Sequence, residues 1–218
     1  KKEFLVKSPK TISTKQAMIL GTAGFTSLLC AFAIKAREEI LLGEKVNEVL
    51  VTGATGGVGT VAVMVLSKLG YKVTAVTGKL DQADALKKLG ATNIIDRKEY
   101  EGEPKLLSKG LWDGVVDTVG GNILAHAISQ TKHSGIVAAC GNAGGIKLNT
   151  NVMPFILRGV KLWGIDSIQV GMKRRKFIWD QVTNLVDFDI LNKTVKIVSL
   201  EELLEVFPKM LKGQTYGR

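Results

Sequence analysis

Cysteine is almost missing from this sequence: Cys30 and Cys140 are the only two in 218 residues. A disulfide framework is thereby excluded, and a reducing, cytoplasmic setting is expected. Histidine is equally scarce, with His126 and His133 alone. Seven positions apart and paired only with distant cysteines, they give no metal-ligand spacing, so no metal is expected. No signal-peptide core follows Lys1-Lys2-Glu3 and no initiator Met precedes it, so a fragment of a longer chain is expected. An unbroken apolar run of membrane-spanning length is also lacking. The 17–36 segment comes nearest, but Thr, Ser, Gly and Lys35 interrupt it, and no membrane partner is expected. Acidic residues are outnumbered 20 to 30 by Lys and Arg, for a net charge of +10. That excess is dispersed, and its one dense run, Lys173-Arg174-Arg175-Lys176, has no aromatic residues interleaved for stacking bases. A nucleic-acid partner is therefore not expected; a solvated helix face and an anion site remain equal readings of the run.

Glycine, by contrast, is placed with purpose. In Val49-Leu50-Val51-Thr52-Gly53-Ala54-Thr55-Gly56-Gly57-Val58-Gly59, apolar strand residues run into glycines and then into the apolar run 61–69. A buried strand, a tight turn and a helix start are the expected elements. A pyrophosphate needs free backbone N–H groups at a helix N-terminus, where the dipole favours negative charge and no Cβ stands in the way. Glycine turns are common, so the flanking strand and helix carry the inference of a dinucleotide site.

Beyond the motif, short apolar strands alternate with helical stretches. Helices are expected at 17–36, 58–69, 81–89 and 122–130, and strands at 48–52, 72–77, 93–95, 114–117, 136–140 and 160–165. The polar 99–109 segment, with Pro104, is assigned nothing, and the alternation assigns no element after 165. Six strands that are apolar on both faces and separated by helices predict an α/β Rossmann fold, a doubly wound six-stranded parallel sheet with helices on both faces.

The end of the second strand selects the coenzyme. An NAD site usually places an acidic residue there for the ribose 2′-hydroxyl. This chain reads Thr77-Gly78-Lys79, a hydroxyl, a gap and a cation, which suits the 2′-phosphate of NADP(H). Asp81 argues the other way if the turn is longer. The glycine spacing also satisfies the short-chain dehydrogenase pattern, but none of Tyr71, Tyr100 and Tyr216 has Lys four residues on, which that chemistry needs.

Further blocks carry a resemblance: 19–26 (Ile-Leu-Gly-Thr-Ala-Gly-Phe-Thr), Leu89-Gly90-Ala91, Asp117-Thr118-Val119-Gly120, 138–145 (Ala-Ala-Cys-Gly-Asn-Ala-Gly-Gly), 152–158 (Val-Met-Pro-Phe-Ile-Leu-Arg) and Gly164-Ile165-Asp166-Ser167. With them the sequence resembles the zinc-independent quinone-oxidoreductase branch of the medium-chain dehydrogenase/reductase superfamily, and within it the acrylyl-CoA reductase group. The resemblance implies that residues 1–16 link to a GroES-like catalytic domain outside this chain, and that 17–218 form the NADP-binding domain. It implies hydride transfer from NADPH to an enoyl thioester such as acrylyl-CoA, or to a related enone. NADPH:quinone oxidoreduction and a non-enzymatic NADPH-binding or redox-sensing module are the alternatives. It implies a homodimer for the full-length protein, paired through the sixth strand.

Residue by residue, the resemblance assigns Gly53, Gly56, Gly57, Val58 and Gly59 to the pyrophosphate loop, and Thr77, Gly78 and Lys79 to the adenosine 2′-phosphate. Arg97 lies near the same phosphate or pairs with Glu99 or Glu101. Asn142, Leu157 and Ser167 line the nicotinamide side, although Asn142 departs from the apolar residue expected there. No catalytic residue is assigned. Arg158 and the Arg174-Arg175 pair could meet the phosphates of a CoA substrate. Asp117 is expected to brace the loop that follows it, Cys30 and Cys140 to sit in the core, and Trp112, Trp163 and Trp179 to pack.

Overall fold

The architecture follows from a computed structural model that describes residues 5–217. Six strands form one sheet in the order β3-β2-β1-β4-β5-β6, every neighbouring pair parallel. The strands are β1 (Glu48–Val51), β2 (Lys72–Thr77), β3 (Ala91–Asp96), β4 (Trp112–Asp117), β5 (Thr131–Ala139) and β6 (Lys161–Gly164). This is the doubly wound Rossmann order, which reverses between β1 and β4, and the crevice outside the carboxyl ends of the strands at that reversal is where such sheets bind ligands.

Alternation along the strands divides the interior in two. Val49 and Val51 of β1 and Val73 and Ala75 of β2 face one core, packed under α1 (Thr14–Ile40), α2 (Gly57–Lys68), α3 (Ala83–Lys88) and α6 (Met172–Leu185). Leu50, Val76, Val115 and Val137 face the other, under α4 (Gly121–Ser129) with Tyr100 and Trp112. A strand with apolar side chains on both faces is stable only between two helix layers, and β4 is buried along its whole length.

Helix α1 is longer than expected at both ends. A capping box starts it: Gln16 N donates to Ser13 Oγ (3.2 Å) and Ser13 N donates to Gln16 Oε1 (2.8 Å). Gly21 breaks its helical geometry near the start (φ 48°). By length and composition α1 could cross a membrane, which corrects the argument that its polar interruptions forbid it. The physical ground for a core helix is instead burial: Leu20, Leu28, Leu29, Cys30, Ala31, Ala33 and Ile34 are enclosed by this chain.

Three strands also exceed expectation, and β4 starts at Trp112 rather than 114. β5 begins at Thr131 rather than 136, because Trp112 of β4 pairs with Thr131 and extends the ladder through polar residues. β3 starts at Ala91 and pairs with β2 through a register shift between Val73 and Thr74. After β6 come α6, α7 (Phe188–Leu191) and α8 (Leu203–Leu211), and α5 (Met153–Arg158) precedes it.

Candidate functional site

The glycine loop forms at the carboxyl end of β1 because two positions tolerate no side chain. Gly53 has φ +58°, and a Cβ there would lie 2.2 Å from Thr118 Oγ1. A Cβ on Gly59 would lie 2.3 Å from the Gly53 carbonyl oxygen and 2.6 Å from Ala54 Cα, so α2 approaches the strand end only with glycine. Gly56 is the N-cap of α2, and no side chain caps the helix. Among the described residues no acceptor takes the N–H groups of Gly57, Val58 and Gly59. A row of free donors at the positive end of a helix dipole is an anion cradle.

Beneath the loop lies Asp117, fully buried at the end of β4. Thr52 Oγ1 donates to its carboxylate at 2.6 Å and the Gly120 N–H at 2.8 Å. It braces the turn after β4, as expected. Burial holds its pKa above the ordinary carboxylate value, against the lowering effect of the Thr52 and backbone hydrogen bonds. Thr118 completes the stitch, its N–H donating to Thr52 Oγ1 (3.1 Å) and its hydroxyl to the Thr52 carbonyl (2.9 Å). The loops after β4 and β5 are zipped together by a Gly120–Gly145 bridge and by Gly144 N donating to the Val119 carbonyl (2.7 Å).

At the carboxyl end of β2, Thr77 is buried, and its hydroxyl is engaged twice. It shares a hydrogen bond with Thr55 Oγ1 (3.0 Å) and accepts from Lys79 N (3.0 Å). The Lys79 ammonium donates to the Thr215 carbonyl. Its pKa is lowered first by desolvation, with Asp81 opposing and Arg97 adding to the shift. Arg97 lies over Gly78, where a Cβ would be 3.1 Å from its guanidinium carbon, and its Nε pairs with Glu101 at 2.9 Å. Lys79 and Arg97 thus stand together, with no carboxylate at the strand end itself.

The positions assigned to the nicotinamide side are less tightly built. Asn142 is exposed in the loop after β5, Leu157 is 56% exposed on α5, and Ser167 follows β6. Asn142 and Ser167 follow the carboxyl ends of β5 and β6, but Leu157 precedes β6 beside Arg158, which binds carbonyls at the amino end of β5, so the structure does not bring it to the other two. Ser167 takes part through its carbonyl, which accepts from Arg175 Nη2 at 3.0 Å.

Several expectations need correction. Arg158 is held inside the chain, donating to the carbonyls of Ser129 (3.0 Å), Thr131 (3.0 Å) and Ser108 (2.5 Å), which removes it as a phosphate ligand. Arg175 is spent on the Ser167 and Ile168 carbonyls and lies 4.7 Å over the Phe25 ring. Trp163 is 39% exposed at the sheet edge, under Arg174, and is not a core residue. Cys140 is half-buried and its thiol donates to the Asp117 carbonyl (3.4 Å), while Cys30 is in the core. Among the described residues no three His, Cys, Asp or Glu side chains are grouped to hold a metal. The sequence assigned no role to Thr52, Thr55 and Thr118, which stand only within motif blocks. Nor did it assign one to Thr215 and Tyr216, beside a Gly217-Arg218 pair that the resemblance places where the chain returns to the other domain. Their hydroxyl and carbonyl partners lie 22 to 162 positions away, which no local pattern shows.

The likeness to known proteins agrees with this geometry. The zinc-binding dehydrogenase family profile matches residues 57–184. Acrylyl-CoA reductase AcuI of Ruegeria pomeroyi is 43% identical over 99% of this chain, which spans 65% of that protein. The crystal structure of the yhdH oxidoreductase from Salmonella enterica in complex with NADP superposes with a TM-score of 0.93 at 41% identity, covering 99% of this chain and 65% of that one. The Bacillus subtilis protein yhfP, solved with NAD bound, gives a TM-score of 0.90 at 41% identity over 99% of this chain and 65% of its own. The chain therefore spans about two thirds of the length of the relatives it matches. Its strand order, glycine loop and matched span together make it a member of the zinc-binding dehydrogenase family, corresponding to the cofactor-binding part of a medium-chain dehydrogenase/reductase.

Proposed function

We propose that this chain is the NADP(H)-binding domain of a zinc-independent medium-chain reductase. The observation that carries the coenzyme reading is Lys79 at the end of β2, a cation held by a neutral carbonyl where an NAD-type site has a carboxylate. The N–H groups of Gly57, Val58 and Gly59 would take the pyrophosphate, and Lys79 with Arg97 the 2′-phosphate. Thr77 holds the turn that presents Lys79. Gly53 and Gly59 fit that group because a Cβ on either would collide with Thr118 or with the Gly53 carbonyl and push the turn and α2 apart. Asn142 and Ser167 would flank the nicotinamide, whereas Leu157, near the amino end of β5, would not. Bound there, the cofactor supplies a hydride for a conjugated acceptor.

The acceptor we favour is the β-carbon of an enoyl thioester such as acrylyl-CoA, because a relative 43% identical carries that name. A quinone is the second reading, supported by the name of YhfP, a Bacillus subtilis relative 44% identical. The two free cysteines suit a cytoplasmic protein. Dimerisation through β6 is supported by its place at the sheet edge with Leu162 and Trp163 exposed.

Calorimetric titration with NADPH and NADH tests the coenzyme reading. The chain should prefer NADPH, and Lys79→Ala should lower NADPH affinity roughly tenfold, the worth of one hydrogen bond to a charged group, with NADH unchanged. Equal loss for both coenzymes would refute the 2′-phosphate contact. Turnover of acrylyl-CoA against quinones by a protein carrying both domains decides the acceptor.

A further inference from the structure

The two ends of the crevice are joined by a closed ring of hydrogen bonds. Thr55 Oγ1 meets Thr77 Oγ1 at 3.0 Å, and Thr77 Oγ1 accepts from the Lys79 N–H at 3.0 Å. The Lys79 ammonium donates to the Thr215 carbonyl, and the Gly217 N–H returns to the Thr55 carbonyl at 2.9 Å. Thr55 enters twice, once by its hydroxyl and once by its carbonyl, and it sits inside the glycine loop. We propose that Thr55 and the 215–217 segment are positioning elements that fix Lys79 for the coenzyme 2′-phosphate and so set the preference for NADPH over NADH. This inference rests on the NADP(H) reading above.

The physical case has three parts. Lysine has a long flexible stem, so an ammonium that must meet one phosphate benefits from being held beforehand. Its holder is a neutral carbonyl, which takes one of three donors and leaves the positive charge for the anion; a carboxylate would have cancelled it. The carbonyl is itself fixed. Gly217 has φ +65°, and a Cβ there would lie 2.1 Å from the Thr194 carbonyl oxygen, so the segment is seated against a buried residue. The Tyr216 hydroxyl is enclosed beside it. Thr77, engaged on two sides and buried, then acts through Lys79 and not on the ligand.

The experiment compares affinities for NADPH and NADH in the parent chain, Lys79→Ala, Thr55→Val, Thr55→Ser and Gly217→Ala. Thr55→Val should reduce the NADPH-to-NADH preference about threefold to tenfold while NADH binding holds, and Thr55→Ser should restore it. Gly217→Ala, which changes no residue of the glycine loop, should shift the ratio in the same direction. Loss of both affinities in equal proportion, or an unchanged ratio, would overturn the inference and leave a structural role. On the parent chain, adenosine 2′,5′-bisphosphate should slow amide exchange at Gly217 and AMP should not; equal protection by both would also overturn it. Lys79→Ala separates the failures. If it leaves the preference intact the NADP(H) reading falls, and if it alone removes the preference only the ring falls.

Discussion

The glycine loop and the end of β2, proposed above as the pyrophosphate and ribose ends of the crevice, are built from different materials. At the glycine loop the proposed contacts are backbone N–H groups, and the sequence contributes by leaving side chains out. At the end of β2 the proposed contacts are side chains, Lys79 and Arg97, and Lys79 is held by a partner far away in sequence. Lys79 reaches Thr215, 136 positions on, whereas Gly56 N closes its turn on Gly53, three positions back. A site made of missing side chains fails by steric collision and takes both coenzymes with it. A site made of cations fails by degrees and discriminates between them.

Breaking the first end should have the largest effect. Gly59→Ala forces a methyl to 2.3 Å from the Gly53 carbonyl, so it should cost about 1–3 kcal/mol of stability and abolish NADPH and NADH binding alike. Thermal melting and calorimetry would show this, and a variant that still distinguishes the coenzymes would blur the contrast. Next comes Thr52→Val, which removes the 2.6 Å donor from buried Asp117 under the loop and should cost about 1–3 kcal/mol in denaturant melts without altering coenzyme preference.

Sharpening the second end gives smaller effects. Arg97→Ala should lower NADPH affinity about twofold to threefold, less than Lys79→Ala, because its guanidinium is half-exposed and already paired with Glu101. Raising salt should shrink the NADPH preference while leaving NADH binding almost level.

The smallest effect is a pH dependence. The folded-state pKa of Asp117 is raised above its ordinary 3.8, so the native state keeps this proton longer than the unfolded chain. Stability should fall as pH rises from 3.8 through the raised value and then stay flat. The melting temperature of the parent chain minus that of Asp117→Asn, followed with pH, should show that decline.

Much of this was legible in the residues. β2 has the expected bounds, since Lys-Val-Thr-Ala-Val-Thr is closed by Tyr71 before and Gly78 after. The glycine loop was legible because a steric requirement leaves one residue type. The polar start of β5 was not, because its first residue, Thr131, joins the sheet by pairing with Trp112 of β4 across a register shift. Nor was the fate of Arg158, whose spacing suits a surface cation and whose guanidinium fills three carbonyls instead.

The sequence by itself determined the doubly wound sheet, the glycine turn and the kind of charge at the end of β2, since apolar period, absent Cβ and formal charge are local properties. Only the tertiary structure decided which charges are free. Arg158 and Lys79 look alike as letters, but one donates to three carbonyls and the other is held by one beside the crevice, because a hydrogen-bond partner is set by where the chain returns in space.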